Sequence, residues 1–309
     1  MEFKHYSVLL KESVDVLSVQ SGGVYVDGTM GGGGHSSEIL SRGAGKLIGI
    51  DQDCEAICAS QKRLECFGDK LIAVNRNFSE IKDILEDLGI GEIDGAVLDL
   101  GVSSYQLDNA ERGFSYMHNA PLDMRMNQSS QLNAYEVINE YTESELTRIF
   151  YEYGEEKWSK RIARFIIDRR SKAKIETTGE LADIVKAAIP QKARQNGGHP
   201  AKRVFQAVRI EVNGELKILQ KAIEDFVDVL KPGGVLSIIT FHSLEDRIVK
   251  QTFARLAEGC TCPKSFPVCV CGIKPQVKLV MRKPVLPSQE ELSENSRSKS
   301  AKLRAAIKL

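Results

Sequence analysis

The stretch that decides the fold is Gly23-Val24-Tyr25-Val26-Asp27-Gly28-Thr29-Met30-Gly31-Gly32-Gly33-Gly34-His35-Ser36. It begins with a short apolar run that ends on an acid, which is typical of a buried strand. A glycine cluster follows, and the residues from His35 to Leu40 carry Ser and Glu in their first turn, as a helix start does. Glycines between a strand and a helix let the backbone approach a ligand closely.

The same alternation continues through the first third of the chain. Further strands are predicted at Lys46–Asp51, Leu71–Val74 and Ile93–Leu100, with helices between them at Ala56–Phe67 and Ser79–Leu88. Strands that alternate with helices at this spacing form βαβ units, so we expect a parallel sheet. Right-handed crossovers bring the loops that follow the strands to one edge of that sheet.

The pattern then changes. Helical periodicity without a clear strand is found at Glu143–Tyr153, Ser159–Arg170 and Thr178–Ile189, and strands return at Gly233–Phe241 and Val277–Arg282. The prediction is an α/β chain with a doubly wound sheet and an inserted helical domain. The predicted bounds are 1–106 for the first part of the sheet domain, 107–214 for the insertion, and 215–309 for the second part, which ends in a polar, basic tail from 288 to 309.

The composition is that of an ordinary folded protein. Of 309 residues, 42% are hydrophobic and 27% are charged, which excludes disordered, collagen-like and disulfide-rich classes. The longest apolar run, near Val235–Phe241, is too short to span a membrane, and Met1–His5 lacks the apolar segment of a signal peptide. Seven cysteines, an odd number, do not suggest a secreted disulfide framework. We therefore expect a cytoplasmic protein without a membrane partner.

The net charge of zero conceals an asymmetry. Between Lys157 and Arg209 there are fourteen Lys or Arg and four Asp or Glu, so this segment carries +10 and the rest of the chain −10. A concentrated positive charge is typical of a surface that binds the phosphate backbone of a nucleic acid. A solvated helix face is the alternative interpretation of the same charge run.

The glycine loop and the acids at the strand ends suggest a nucleotide-like cofactor. Asp51 lies where an acid binds ribose hydroxyls, and the helix after the loop favours an anionic group at its N-terminus. Ser36 breaks the dinucleotide fingerprint and no Gly-Lys-Ser/Thr is present, so NAD and ATP are poorly supported. S-adenosylmethionine fits better, because its sulfonium needs nearby oxygens such as those of Asp99. Asp99 could instead be a helix cap.

Six blocks of the sequence, in a fixed order, carry a family resemblance: Asp27–Ser36, Asp99–Ser104, Arg112–Ser115, Pro121–Met126, Val204–Asn213 and Phe241–Arg247. They resemble the bacterial small-subunit ribosomal RNA cytosine-N4 methyltransferases of the RsmH (MraW) family, and the resemblance covers essentially the whole chain. Tyr105 departs from it by replacing a usual proline, and His118-Asn119 and Asn127 replace residues that are often acids. These departures concern the loop after Ser104 and not the cofactor site.

The resemblance implies a class I (Rossmann-like) methyltransferase sheet with an inserted substrate-recognition domain. It implies S-adenosylmethionine as cofactor and, as substrate, a cytidine in the decoding region of 16S rRNA within the small ribosomal subunit. The oligomeric state stays open, with a homodimer as one option. The cofactor contacts that it implies are at Gly33, Gly34, His35, Asp51, Phe78, Asp99 and Gln106.

Methylation of an exocyclic amine needs an in-line methyl donor and an acceptor for the N–H, and it needs no covalent intermediate. We expect Asp99, or a backbone carbonyl beside it, to accept from N4–H, with Ser103 and Ser104 shaping the pocket. His242 is a second candidate for taking the proton. A structural histidine bonded to Glu245 or Asp246 is the other interpretation of His242.

The cationic insertion is expected to bind the RNA backbone, with Arg194, Lys202 and Arg203 as candidate contacts. The target base has to leave its stack to reach the pocket. Aromatic residues able to stack on it, each also explicable as core, are Tyr105, Phe114 and Tyr116.

The cysteines offer a possible metal site. Cys260, Cys262, Cys269 and Cys271 lie within twelve residues, and four thiols can bind zinc tetrahedrally. Their Cys-x-Cys spacing is less common in zinc sites, so a reduced set of loop cysteines or a redox pair stays open, and no metal is assigned. Cys54, Cys58 and Cys66 are predicted to be core residues of a helix.

Two other functional classes remain as alternatives. A nicotinamide oxidoreductase would bind NADH and not S-adenosylmethionine. An RNA-binding or assembly factor on a methyltransferase scaffold would bind RNA with an impaired cofactor loop. The intact loop, with Asp51 and Asp99 both present, argues against the second class.

Overall fold

A computed structural model describes residues 7–194, 198–259, 262, 266, 268 and 271–309, with the side chain of Ser104 outside the description. Two compact units are present. The sheet unit comprises the chain up to Gly101 together with Leu216–Leu309, and the inserted unit comprises Val102–Glu215. These bounds lie within a few residues of the predicted insertion at 107–214.

Within the described residues, one seven-stranded sheet runs through the sheet unit in the order β3-β2-β1-β4-β5-β7-β6. The first five strands are parallel, and β7 is antiparallel to both β5 and β6. The α/β prediction is therefore confirmed. The strands are β1 (Val24–Asp27), β2 (Lys46–Ile50), β3 (Leu71–Val74), β4 (Ile93–Asp99), β5 (Leu230–Thr240), β6 (Val277–Leu279) and β7 (Lys302–Lys308).

Helices cover the sheet and build the inserted unit. They are α1 (Leu10–Leu17), α2 (Gly34–Ser41), α3 (Cys54–Arg63), α4 (Ile81–Asp87), α5 (Ser104–Asp108), α6 (Ala134–Glu140), α7 (Glu143–Glu152), α8 (Ser159–Arg170), α9 (Thr178–Ala188), α10 (Gln191–Arg194), α11 (Lys202–Asn213), α12 (Glu215–Val229), α13 (Ser243–Glu258) and α14 (Gln289–Glu294). Short 3₁₀ turns add Glu65–Lys70, Phe78–Glu80, Ala110–Arg112 and Ser296–Ser300.

Both faces of the sheet are apolar because both are covered. Val26 and Ile48 lie in a core formed with the buried faces of α4, α12 and α13. Tyr25 and Leu47, their neighbours along the strands, lie in a second core on the opposite face, with residues of α1 and α2. A parallel sheet covered on both sides has strands that are nearly continuous hydrophobic runs, which is why the strands were recognisable in the sequence.

The C-terminal segment departs from the prediction of a polar tail. It contains α14 and ends in β7, which pairs with β5 along Thr240–Lys302 to Val235–Ile307. Arg304 Nε donates to Asp246 Oδ1 at 2.7 Å and Lys302 Nζ to Asp246 Oδ2 at 3.1 Å, so α13 binds two of the five cations of this segment. Two of the four apolar residues of β7 are small alanines, which weakened the strand pattern in the sequence.

The inserted unit contains the three helices predicted from periodicity, as α7, α8 and α9. Thr142 and Thr177 cap α7 and α9, each in a reciprocal arrangement with the Glu three residues later. Such capping boxes provide acceptors for two backbone N–H groups that have no partner within the helix, and so fix the residue at which the helix begins. Phe150, Ile162 and Val208 lie in the fully buried core of this unit.

The cysteine predictions meet two different outcomes. The prediction that Cys54, Cys58 and Cys66 are core residues is wrong, because all three are exposed. Of the four possible zinc ligands, Cys260 and Cys269 lie outside the described residues, so that hypothesis stays untested. Among the described residues, no three His, Cys, Asp or Glu side chains come together as a metal site. In the same part of the chain, every helix is too short or too polar to cross a membrane.

Candidate functional site

The site is assembled at one edge of the sheet, where adjacent strands end. Asp27 and Asp99 are the last residues of β1 and β4, and Asp51 directly follows β2. Because these three strands are parallel neighbours, their carboxyl ends bring the acids to the same edge. We call this group of three acids, with the loop from Gly28 to Gly34, the acidic rim.

The glycine loop is held in a conformation that other residues adopt poorly. Gly31 and Gly33 have positive φ values of 47° and 74°. A Cβ on Gly33 would lie 3.1 Å from Leu64 Cδ1, so space is short as well. Arg63 Nη1 donates to the Gly32 carbonyl at 2.7 Å, and the Ser60 hydroxyl donates to the Gly31 carbonyl. The loop is thus fixed before any ligand arrives.

Asp27 ties the loop to helix α2. It is fully buried, and its carboxylate accepts from the Ser36 hydroxyl at 2.7 Å and from the Thr29 N–H at 3.2 Å. Burial raises the pKa of Asp27 to about 6, and these hydrogen bonds partly oppose the rise. Asp27 therefore joins the start of the loop to helix α2.

Asp51 binds the middle of the loop, at Gly31. Its Oδ2 accepts from the Gly31 N–H at 2.8 Å and its Oδ1 from the Asp53 N–H at 2.9 Å. Burial, opposed by these two bonds, raises the pKa of Asp51 to about 6. Each carboxylate oxygen has two acceptor directions, so both can still accept from the hydroxyls of a ribose.

Asp99 differs from the other two acids because one oxygen has no protein partner. Its Oδ1 is shielded from solvent and accepts no hydrogen bond, although its backbone N–H donates to Thr29 Oγ1 at 2.6 Å. Burial, and then the negative charges of Asp27, Glu245 and Glu291, raise the pKa of Asp99 well above its ordinary value. A shielded carboxylate oxygen without a donor is unusual in a folded protein and marks a place where a ligand supplies the missing group.

His35 lies near Asp99 but does not neutralise it. Its Nδ1 lies 3.9 Å from Asp99 Oδ2, beyond hydrogen-bond distance, and its side chain is buried. Burial lowers the pKa of His35 to about 4, opposed by a hydrogen bond to the Val8 backbone. The imidazole is therefore neutral near pH 7, and the acidic rim keeps its negative charge.

Two acids near Asp99 were not predicted to be site residues. Glu245, in α13, accepts from the Phe241 N–H through Oε2 at 2.8 Å, and Glu291, in α14, accepts from the Leu9 N–H at 2.9 Å. Glu245 falls inside the Phe241–Arg247 block, which could have singled it out. Glu291 carries no such signal, because only the fold of the C-terminal segment brings it to the rim.

His242 has the structural surroundings that its alternative interpretation describes. It is the N-cap residue of α13, with Nδ1 accepting from the Glu245 N–H at 3.4 Å. Its Nε2 lies 3.1 Å from Glu245 Oε1, without the alignment of a hydrogen bond. The imidazole is thus held against Glu245 at the start of the helix.

The remaining predicted cofactor residues of the sheet unit lie on the loop or close to it. Gly34 is the first residue of α2. Phe78 opens the 3₁₀ turn capped by Asn77 and packs against the sheet core. A Cβ on Gly28 would meet Phe78 Cβ at 3.3 Å, so Phe78 lies directly against the start of the loop.

Ser103, Ser104 and Gln106 belong to the inserted unit. Ser103 caps α5: its Oγ accepts from the Gln106 N–H at 3.2 Å, and Gln106 Oε1 accepts from the Ser103 N–H at 3.1 Å. Ser104 is the first residue of that helix. The roles predicted for these three residues stay predictions.

The residues predicted to bind RNA are in different surroundings. Lys202 is exposed at the start of α11. Arg203 donates to the Glu155 carbonyl at 3.1 Å and lies 4.0 Å from Glu156. Arg194, at the end of α10, has a shielded Nε without a hydrogen-bond partner.

The three predicted stacking aromatics also differ from one another. Phe114 is buried in the core of the inserted unit. Tyr116 is stacked on His199, with ring centroids 4.3 Å apart. Tyr105 is exposed, so its ring is accessible.

The residues of the acidic rim fit S-adenosylmethionine. The glycines of the loop leave no side chains between its backbone and a ligand, and α2 begins directly behind it. Asp51 has acceptor capacity for ribose hydroxyls, and the unpartnered oxygen of Asp99 suits a positive charge. The rim contributes net negative charge, as a cationic cofactor requires.

Comparison with known proteins agrees with this geometry. The model of the MraW methylase family matches residues 2–309. A protein of Clostridium botulinum (strain Loch Maree) named ribosomal RNA small subunit methyltransferase H is 60% identical over 311 residues, covering 100% of both chains. A protein of the same name from Symbiobacterium thermophilum is 54% identical and covers 100% of this chain and 98% of its own. The resemblance seen in the sequence and the class I fold that it implies are confirmed. This chain belongs to the MraW methylase family.

Proposed function

We propose that this protein transfers a methyl group from S-adenosylmethionine to the exocyclic N4 amine of a cytidine in 16S rRNA. The observation that carries the proposal is the shielded, unpartnered oxygen of Asp99 beside a preformed glycine loop. Relatives at 54–60% identity are named for methylation of small-subunit ribosomal RNA, which supports the substrate class.

The cofactor, when bound, supplies an electrophilic methyl group on a positively charged sulfur. The amine of cytosine is a weak nucleophile, because its lone pair is conjugated with the ring. Asp99 accepts a hydrogen bond from N4–H, which localises the lone pair on nitrogen, and it is placed to take the proton that leaves. Because Asp99 is buried and lies near the negative charges of Asp27, Glu245 and Glu291, the pKa of its carboxyl is raised above that of an ordinary aspartate.

The other candidate catalytic residues have supporting roles in this proposal. His242 caps α13 and holds Glu245, which adds negative charge near Asp99. For Ser103 and Ser104 we keep the role that the sequence analysis predicts. Between the two candidate proton acceptors we choose Asp99, since its free oxygen has no structural role.

The small ribosomal subunit, rather than free RNA, is the substrate that we propose. The proposed target is a cytidine of the decoding region, and a cytoplasmic protein is consistent with that substrate. Recognition of RNA depends on shape and on exposed bases, both of which a folded particle provides. The oligomeric state is left open, with a homodimer as one option.

A methyl-transfer assay tests the proposal. Labelled S-adenosylmethionine is mixed with small subunits from cells that lack the enzyme, and naked 16S rRNA is tested in parallel. Mass spectrometry of the digested RNA is expected to find N4-methylated cytidine from the subunits. Methylation at another atom or another base would contradict the proposal, and so would tight cofactor binding without transfer to either RNA.

A further inference from the structure

The cations of the basic segment are not equivalent in the structure. Some are paired within the inserted unit: Arg169 Nη2 lies 3.0 Å from Glu180, and Arg209 forms two hydrogen bonds of 2.9 Å to Glu215. A paired guanidinium contributes little to the attraction of a polyanion, because a carboxylate already neutralises its charge. The attraction has to come from cations without such partners.

Among the described residues, four cations without a carboxylate partner lie together at α8. Lys160, Arg161 and Arg164 are on the exposed face of the helix, and Lys157 is exposed in the turn before it. Within the described part of the chain, none of the four has a carboxylate within 4.0 Å. We call these four residues the α8 face. The opposite side of the helix is fixed in the core through Ile162, Ala163 and Ile166.

A cleft adjoins the α8 face. It has a volume of about 660 Å³ and lies between α7 and α8, with Glu143, Thr147 and Tyr151 on one side and Lys160 on the other. Lys160 belongs to both the cleft and the α8 face, so the two features form one continuous surface. The volume is in the range of small-ligand sites, which is enough for a nucleobase.

The cleft has the side chains of a base site. Tyr151 is 68% exposed, which leaves its ring accessible for stacking. Arg148 does not cover that ring, because it is held 3.2 Å from Glu152 and 3.4 Å from Glu211. Glu143 repels phosphate, whereas its carboxylate can accept from the amino group of a base.

We propose that the α8 face and its cleft bind a single-stranded segment of the RNA substrate, with phosphates on the cations and a base stacked on Tyr151. This inference rests on the proposed function, because it names the surface that binds the RNA substrate of that function. Base stacking on an accessible aromatic next to a positively charged track is the usual arrangement for single-stranded nucleic acid. The α8 face adds to the contacts predicted at Lys202 and Arg203 and does not replace them.

The charge contribution is tested with a triple variant, Lys157→Gln, Lys160→Gln and Arg164→Gln. Its matched control is Lys70→Gln, Lys250→Gln and Lys283→Gln, which removes the same charge from exposed positions of the sheet unit. The probe is a fluorescein-labelled single-stranded RNA of about 16 nucleotides, whose Kd is measured by anisotropy from low to high salt.

Each lost phosphate contact reduces the slope of log K against log salt by about 0.7 for single strands. We expect the slope of the α8 variant to fall by about 2, with binding at least about tenfold weaker near physiological salt. The control is expected to bind within about threefold of the wild type, because its cations lie elsewhere. Equal slopes for variant and control would overturn the proposal.

The stacking contribution is tested separately at Tyr151. We expect Tyr151→Ala to weaken RNA binding by about 5- to 100-fold, whereas Tyr151→Phe, which keeps the ring, binds like the wild type. Circular dichroism of each variant checks the fold, and the exposure of Tyr151 makes a folded Ala variant the expected result. Normal binding by folded Tyr151→Ala would overturn the base site.

Transfer assays on the same preparations separate this proposal from the proposed function. RNA binding that depends on the α8 face, without any methylated nucleoside, would contradict the proposed function and support the RNA surface. Methyl transfer together with unaltered RNA binding by the α8 variant would support the proposed function and overturn the RNA surface. Polyglutamate is added as a competitor; if it binds this face as tightly as the RNA, the occupant is an acidic protein and the proposal is overturned.

Discussion

The acidic rim and the α8 face use charge in opposite ways. At the rim, acids are withdrawn from water, and burial raises the pKa of Asp27 and Asp51 to about 6. At the α8 face, cations such as Lys160 and Arg164 stay exposed and unpaired. Desolvated charges interact strongly over short distances and can take part in chemistry, whereas exposed charges attract a polyanion at longer range and are screened by salt. The two regions are therefore suited to reaction and to binding, respectively.

Loss of the Asp99 carboxylate is the change with the largest expected effect. We expect Asp99→Ala to lower the single-turnover rate of methyl transfer by at least about 10³-fold, because in this proposal the variant lacks the carboxylate that accepts from N4–H. Rapid-quench measurements with labelled cofactor give this rate. Asp83→Asn, which alters an exposed acid of the sheet unit, serves as control and should retain the rate. A rate near that of the wild type in Asp99→Ala would remove Asp99 from the chemistry.

A smaller effect is expected from the glycine loop. Gly33→Ala places a side chain at a φ of 74° and 3.1 Å from Leu64, so we expect the Kd for S-adenosylmethionine to rise about tenfold. Gly89→Ala is the matched control, because Gly89 has a φ of 65° with nothing within 4 Å of a Cβ. Both variants should lose about 1–2 kcal/mol of unfolding free energy through the positive φ.

Calorimetry gives the two affinities for the cofactor. Weakened binding in Gly33→Ala alone would show that the loop geometry contributes to the affinity beyond general stability. Equal affinity in the two variants would mean that the loop does not contact the cofactor closely, and the rim would then have a purely structural role.

The smallest effect is expected at His242. Because the transfer rate depends on ionised Asp99, it should fall as the pH falls through the raised pKa of Asp99, with a midpoint above 3.8. We expect His242→Gln to keep that midpoint and to lose about 1 kcal/mol of unfolding free energy, since α13 loses its cap. A shifted or missing limb in the pH–rate profile of this variant would instead assign the proton to His242.

The sequence predicted the rim well because its parts are local. Strand, glycine loop and helix follow one another within fifteen residues, and the acids stand at strand ends, where topology alone brings them together. Burial, and with it the raised pKa values and the unpartnered oxygen of Asp99, could not be predicted, since it depends on packing. The neutral state of His35 is a consequence of the same packing.

The inserted unit was harder to predict because its features are distributed. The excess charge was visible, but which cations are neutralised depends on contacts such as Arg169 with Glu180, eleven residues apart. The sequence analysis therefore selected Arg194, Lys202 and Arg203 and did not single out Lys160. Similarly, β7 and Glu291 were not predicted, because their segment is polar in sequence. Two of its cations are bound by Asp246, a contact that only the fold creates.

Parallel measurement of RNA affinity and transfer rate on Asp99→Ala and on the α8 triple variant tests this division of roles most directly. We expect Asp99→Ala to bind the RNA within about threefold of the wild type and to lose transfer. The α8 variant should bind weakly, with a transfer rate that recovers as the RNA concentration is raised. If Asp99→Ala loses RNA binding as severely as the α8 variant does, or if the α8 variant loses transfer at every RNA concentration, reaction and binding are not divided between these regions.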